Sequence, residues 1–323
     1  MRILVVLVSF SVILPHLSGQ ISGEDDASLS RLHRIVVDAP EDLQQLLRST
    51  GRPLPMVSSH RGGAGPGFPE NCIETFERTL AHTHSLLEID PRLTADGEVV
   101  IHHDATLERT TTGIGRLSDH TLAQLEQLRL KDSAGQLTDF RMPTLDAVLE
   151  WGRGKAILVL DQKDVPLETR IAKIEQHHAE SYAMLIISKL DDARVCYRLN
   201  PRIMMEFMVI DWKMFEAFDR SGIPWSNIVA FVGHQPPEDL DLLKAIHEKG
   251  TICMAGTSRH LDKDLDSVGE AGLPELKQRY FALVERGVDL FETDRPVEVG
   301  RFVAERSAVV DSLQPFLIPP DGQ

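Results

Sequence analysis

Five short stretches carry side chains that an apolar core would not choose. They are "SSHR" with His60 and Arg61, "LLEID" with Glu88 and Asp90, "VVIHHD" with His102, His103 and Asp104, "LVLDQK" with Asp161 and Lys163, and "LFETD" with Glu292 and Asp294. Imidazole titrates near neutrality and suits proton transfer in either direction. Glu88 and Asp90 stand two apart, so in a strand they share one face. Two carboxylates so placed repel each other unless a cation neutralises them. Asp161 can supply a third oxygen, and an all-carboxylate set with water suits a hard divalent ion, Mg²⁺ or Ca²⁺, better than zinc. Arg61 and Lys163 are the fixed cations to set against a phosphate. Adjacent in a strand, His102 and His103 face opposite ways, and spacing alone leaves open which one reaches the site. The run "GGAGPG" (62–67) offers open backbone N–H groups but is a weak phosphate signal by itself. His234, closing "FVGH", is a further rim candidate without an assigned role.

These residues lie far apart in sequence, so the fold must bring them together. Nine short apolar runs read as strands: 56–59, 85–90, 98–103, 156–161, 183–188, 203–208, 228–233, 251–256 and 288–293. Helical patterns separate most of them, such as "PELKQRYFALVERG" with Leu276, Tyr280, Leu283 and Val284 at helical spacing. Repeated β–α units with near-continuous apolar strands indicate a parallel sheet. Their number predicts an α/β fold, a (β/α)8 TIM barrel. Nine candidates compete for eight places, and 203–208 or 228–233 is expected to be a rim strand or a helix. The stretch 105–142 breaks the rhythm and reads as an insertion on the upper rim after the third strand. In a parallel barrel all C-terminal strand ends meet at one mouth, so the five stretches are expected to converge there.

The expected organisation is a secretory signal over 1–20, an extension with a short helix over 21–52, the barrel over 53–310 and a tail over 311–323. The signal reading rests on Met1-Arg2, an apolar run from Ile3 to Leu14, then Pro15 and small residues; a tethering helix is the alternative, although the run is short for a bilayer. A secreted or periplasmic protein without a stable membrane anchor is expected. The helix is placed in "DAPEDLQQLLRST", with Asp38 as its cap. The formal net charge is −15, and losing 1–20 would remove only Arg2 among the charges. So acidic a chain repels nucleic acid at long range. Cys72, Cys196 and Cys253 read as packing thiols, with one disulfide possible but not required. The oligomeric state is not legible.

Taken together, the motifs resemble those of the glycerophosphodiester phosphodiesterase family: "HRG" (60–62), "PEN" (69–71), "EID" (88–90), "TADGEVVIHHD" (94–104), "LERTTTGIG" (107–115), "MPTLDAVLE" (142–150), "LDQK" (160–163) and "GVDLFETDRP" (287–296). The resemblance implies a (β/α)8 barrel that cleaves phosphodiesters with a divalent metal. It implies His60 and His103 as the acid–base pair, choosing His103 over His102, with His60 as base and His103 as acid or the reverse. It implies Glu88, Asp90 and Asp161 as metal ligands, Asp161 standing where the family usually has Glu, and Arg61 and Lys163 at the phosphate. Cys72 replaces the Thr that usually follows "PEN". "CMAGT" (253–257) replaces a strand that often reads "WTVN", which puts the alcohol group in question. The nearest rival is a lysophospholipase D or sphingomyelinase D-like enzyme acting on a lysolipid, with an apolar rim from Val209, Ile210, Trp212, Met214 and Phe215. A catalytically dead binding barrel is a rival of another class. A glycosidase is disfavoured because Glu88 and Asp90 share one strand, whereas that chemistry flanks the sugar with acids.

Overall fold

A computed structural model describes residues 29–306 and 311–322. The expected signal segment, 1–20, lies outside the described residues. Eight parallel strands close into a barrel in chain order: β1 (Val57–Ser59), β2 (Ser85–Ile89), β3 (Ile157–Leu160), β4 (Ala183–Ile187), β5 (Met205–Met208), β6 (Ile228–Phe231), β7 (Cys253–Gly256) and β8 (Leu290–Thr293). The closing register pairs Glu292 with Ser58 and Thr293 with Ser59. Helices follow every strand, and the apolar faces of strands and helices merge into one buried cluster.

The surplus candidate is 98–103, not 203–208 or 228–233, which are β5 and β6. Val99–Ile101 pairs antiparallel with Pro91–Leu93 in a separate ribbon. Chain length explains this. A parallel neighbour needs a crossover of about a dozen residues or more, and only nine residues separate Ile89 from Val99. The two ribbon strands are instead joined across Asp96-Gly97, a hairpin dipeptide, with Thr94 N–H donating to Glu98 O at 2.9 Å. The insertion therefore follows the second barrel strand and starts with this ribbon at Pro91 rather than at Ala105. It carries its own small core of Val100, Leu107, Leu117, Leu125, Leu130 and Met142, with Cys72.

At the other end of the barrel, the N-terminal helix spans Pro40–Leu46. Its cap is Ala39 rather than Asp38. Pro40 fills the first helical position, where a missing N–H costs nothing, and the Asp42 carboxylate accepts from Ala39 N–H at 3.0 Å. Ser49 N–H donates to Gly250 O and Leu54 N–H to Asp289 O, tying this segment under β7 and β8. Arg34–Ile35 pairs antiparallel with Leu317–Ile318, so lead-in and tail meet. All three cysteines are buried free thiols. No helix among the described residues is long and apolar enough to cross a membrane.

Candidate active site

After Ser59 the chain leaves β1 in a single turn, His60–Gly62, with Arg61 at φ 51° and Gly62 at φ 80°. A left-handed arginine is strained by about 1–3 kcal/mol. What it achieves is directional: the Arg61 N–H donates to Glu88 Oε2 at 2.7 Å. Residue 62 must be glycine for a second reason, since a Cβ there would lie 2.3 Å from the ring carbons of Phe76. The glycines after His60-Arg61 thus serve a tight exit against a helix.

Each candidate histidine is held by a carboxylate. His60 Nδ1 lies 2.6 Å from Asp294 Oδ1, joining the ends of β1 and β8. His103 Nδ1 lies 2.7 Å from Asp104 Oδ1. A carboxylate accepts only, so both Nδ1 atoms donate and both Nε2 atoms are left outside these hydrogen bonds. Burial alone would push the His60 imidazole down, but the Asp294 hydrogen bond and the charge of Glu292 outweigh it, and its pKa is raised. His102 faces the insertion instead, buried, with its ring nitrogens against Thr110 Oγ1 and Asp104 O, each at 2.9 Å.

One guanidinium links the two halves of the site. Arg109 donates to both oxygens of Glu70 at 2.7 and 2.9 Å and to both oxygens of Asp104 at 2.6 and 2.9 Å. Glu70 in turn accepts from Arg61 Nη1 at 3.2 Å. Arg109's hydrogen bonds hold the Asp104 carboxyl well below the usual range. Burial would raise Glu70, yet Arg109 and Arg61 bring it down. Arg92 donates to His103 O and so fixes the backbone of that histidine.

Glu88, Asp90 and Asp161 each offer an oxygen, and these atoms lie within 4.8 Å of one another. Asp90 is fully buried and Glu88 is 2% exposed. Asn71, itself in a left-handed conformation at φ 60°, donates to Asp90 Oδ2 at 2.6 Å and accepts from Asp90 N–H at 3.1 Å. Lys163 Nζ stands 2.9 Å from Asp90 Oδ1 and also contacts Asp161 Oδ2. Burial, followed by the charges of Asp90 and Asp161, pushes Glu88 far up, while Lys163 overcomes burial to keep Asp90 low. Three carboxylates clustered closely enough to repel one another, and a buried Asp90 Oδ1 without a well-directed hydrogen bond, are what a hard divalent cation would satisfy. The donor set fits such an ion.

His60, Arg61, Glu88, His103, Asp161 and Lys163 line one cavity of about 650 Å³ at the barrel mouth. Asp90 lies buried beside it. Six further groups belong to the site or its walls. Asp104 and Asp294 stood at the strand ends, and Glu70 and Asn71 in "PEN", without roles; Arg109 gave no signal beyond its motif. Glu206 had one, a lone acid within the apolar run "IMMEFM". Along the rim, Val209 and Phe215 are buried in the core, leaving Ile210 at 51% and Trp212 at 41% exposure as its large apolar surface.

The family model for glycerophosphoryl diester phosphodiesterases matches residues 60–298. Among curated proteins, the chain is 37% identical over 105 residues to a glycerophosphodiester phosphodiesterase of Caldanaerobacter subterraneus, covering 32% of this chain and 43% of that protein. It is 36% identical over 121 residues to glycerophosphodiester phosphodiesterase 1 of Mus musculus, covering 35% of each. The chain thus spans less than half the length of these two relatives. A crystal structure of a glycerophosphoryl diester phosphodiesterase from Parabacteroides distasonis superposes with a TM-score of 0.84 at 38% identity, over 89% of this chain and 99% of that one. An Oleispira antarctica phosphodiesterase in complex with its product sn-glycerol-3-phosphate shares the fold, with a TM-score of 0.56 at 24% identity over 77% of this chain and 96% of that one.

Proposed function

The chain belongs to the glycerophosphoryl diester phosphodiesterase family, and from that premise we propose that it hydrolyses a glycerophosphodiester to an alcohol and glycerol phosphate by histidine acid–base catalysis with a divalent cation, Mg²⁺ or Ca²⁺. The observation that carries this reading is the meeting of two carboxylate-held histidines and a three-carboxylate cluster around one cavity.

Glu88, Asp90 and Asp161 would hold the cation, which when bound neutralises their charge and polarises the phosphoryl oxygens. The Arg61 guanidinium and the Lys163 ammonium face the non-bridging oxygens, where charge grows as the phosphorus is attacked. His60 Nε2 takes the proton from the attacking hydroxyl, either of water, which gives glycerol phosphate directly, or of the substrate's own glycerol, which closes a cyclic phosphate that water then opens to glycerol phosphate. His103 Nε2 gives a proton to the leaving alkoxide as the P–O bond breaks. Asp294 and Asp104 keep each ring in the tautomer with Nε2 toward the cavity. sn-Glycerol-3-phosphate, the product bound in the Oleispira enzyme, is the product class this reading expects. A lysolipid would need a broad apolar rim, and with Val209 and Phe215 in the core a small water-soluble diester is the better fit.

Phosphorus NMR of a small diester panel, with and without chelator, tests this. Glycerol phosphate should appear with Mg²⁺ or Ca²⁺ present and its formation should stop on chelation. Absence of any diester cleavage, or cleavage indifferent to chelator, refutes the reading.

A further inference from the structure

β6 and β7 stand four places round the barrel from β2 and β3, so the wall they form faces the carboxylate cluster across the cavity. His234 follows β6 on that wall and lines the cavity. Its ring lies so close over Gly256 of β7 that a Cβ there would sit 2.2 Å from His234 Nδ1. Phe231 meets the ring edge-on at 5.0 Å between centroids. The imidazole is therefore fixed in place, yet Nδ1 is buried with no hydrogen-bond partner among the described residues. Burial, followed by the charges of Arg259 and His60, pushes its pKa down to about 4, so the ring is neutral near pH 7. A buried N–H without an acceptor is worse than a buried bare nitrogen in a snug apolar contact, so the single proton belongs on Nε2. That leaves Nε2–H as the ring's one polar outlet, pointing a donor at whatever enters.

Glu206 is the second unassigned group on this side. It lies on β5, buried, lines the same cavity and has no hydrogen-bond partner among the described residues. Fixed polar groups that the protein itself does not satisfy are the kind that a ligand satisfies. Among the described residues the wall lacks the aromatic cage that holds a quaternary ammonium by its ring faces. Phe231 is its one aromatic ring besides histidines, which makes no cage, and the exposed guanidinium of Arg259 lies alongside.

We propose that His234, seated on Gly256, and Glu206 form a hydroxyl-reading wall, so that the alcohol released by this enzyme is a polyol rather than a quaternary ammonium alcohol. This rests on the phosphodiesterase reading above. With the alcohol's oxygen accepting from His234 Nε2–H and its hydroxyl donating to Glu206, a substrate that lacks hydroxyls leaves both groups unpaired, and such sites discriminate strongly.

The test compares kcat/KM for glycerophosphoglycerol and glycerophosphocholine in the metal-loaded full chain, with bis(4-nitrophenyl) phosphate as a substrate that has neither alcohol. The expected result is a preference for glycerophosphoglycerol of about 10-fold or more, reduced about 10-fold by His234→Ala and partly restored by His234→Asn. Gly256→Ala, which pushes the ring aside without removing it, should erode the same ratio. Equal losses on both glycerol diesters, or a wild-type preference for glycerophosphocholine, overturn the inference. If bis(4-nitrophenyl) phosphate and both glycerol diesters are untouched, the phosphodiesterase reading has failed and takes this one with it.

Discussion

β8 carries an aspartate just beyond each of its ends, and each is paired with a histidine. Above the mouth, Asp294 holds His60 at 2.6 Å; at the opposite end, Asp289 holds His247 at 2.7 Å. The aspartates stand five positions apart, an odd number, so the strand's period of two sends them to opposite faces. Asp294 points into the cavity. Asp289 points outward to His247, on the helix Leu240–Glu248, and also accepts from Cys253 N–H at 2.8 Å. The two pairs have nearly the same geometry, and both raise the histidine's pKa. What differs is access. One imidazole has a free Nε2 at a cavity, whereas the other spends Nε2 on the aspartate. The chemical pair does not make a site; the open nitrogen does.

The comparison breaks most sharply by deletion. His60→Ala should lower kcat by about 10²–10⁴-fold, as should His103→Ala, with the unfolding midpoint little moved. His247→Ala should leave kcat nearly unchanged and cost about 1 kcal/mol in urea denaturation. If His247→Ala matches His60→Ala in rate, the distinction fails. Next in size is the clamp that only the mouth has. Arg109→Ala removes both bidentate pairs and should reduce kcat by about 10–100-fold through misplaced His103 and Arg61, with Arg109→Lys giving partial recovery; unchanged kinetics would show the clamp idle.

A smaller effect follows from protonation. His60 must be neutral to accept a proton, and its pKa is raised because Asp294 and Glu292 outweigh burial. The acid limb of the pH–kcat/KM profile should therefore lie above the ordinary histidine value of about 6.5. Asp294→Asn should move it to lower pH, whereas Asp289→Asn should not move it. Smallest is a stability effect of opposite sense. The hydrogen bond that Asp289 accepts from His247, opposed by burial, raises that histidine's pKa. Its contribution is full below the unfolded value of about 6.5 and is lost as pH rises through the folded value. Thermal midpoints should show this decline between weakly acidic and weakly alkaline pH, and His247→Ala should flatten that part of it.

Much of the mouth was legible because strand ends break an apolar pattern. Glu88 and Asp90 were readable as a same-face pair from spacing alone, and Asp161-Gln162-Lys163 as a strand end. The choice between His102 and His103 was open from spacing, and only the family motif pointed to His103. It depends on the hairpin through Asp96-Gly97, which turns the third apolar run away from the barrel and sets His103, not His102, over the cavity. Arg109 was illegible for another reason. Its four hydrogen bonds go to residues 5 and 39 positions away, and no local pattern records such partners. His234 was readable as a rim candidate, but its role was not, because that lies in the missing side chain of Gly256 on a neighbouring strand.

By itself the sequence determined the barrel, since so many apolar runs alternating with helical patterns have few other ways to bury both faces, although which of nine runs was surplus it did not determine. It also determined that acids, imidazoles and cations would gather at one end, because parallel strands all finish on the same side. Only the tertiary structure gave the reason why His103 rather than His102 faces the cavity, and decided which of two histidine–aspartate pairs does so. It alone decided that one arginine joins His103's carboxylate to Arg61's. Those outcomes depend on contacts between residues distant in the chain, and local periodicity, which reports only a residue's own face, contains no term for them.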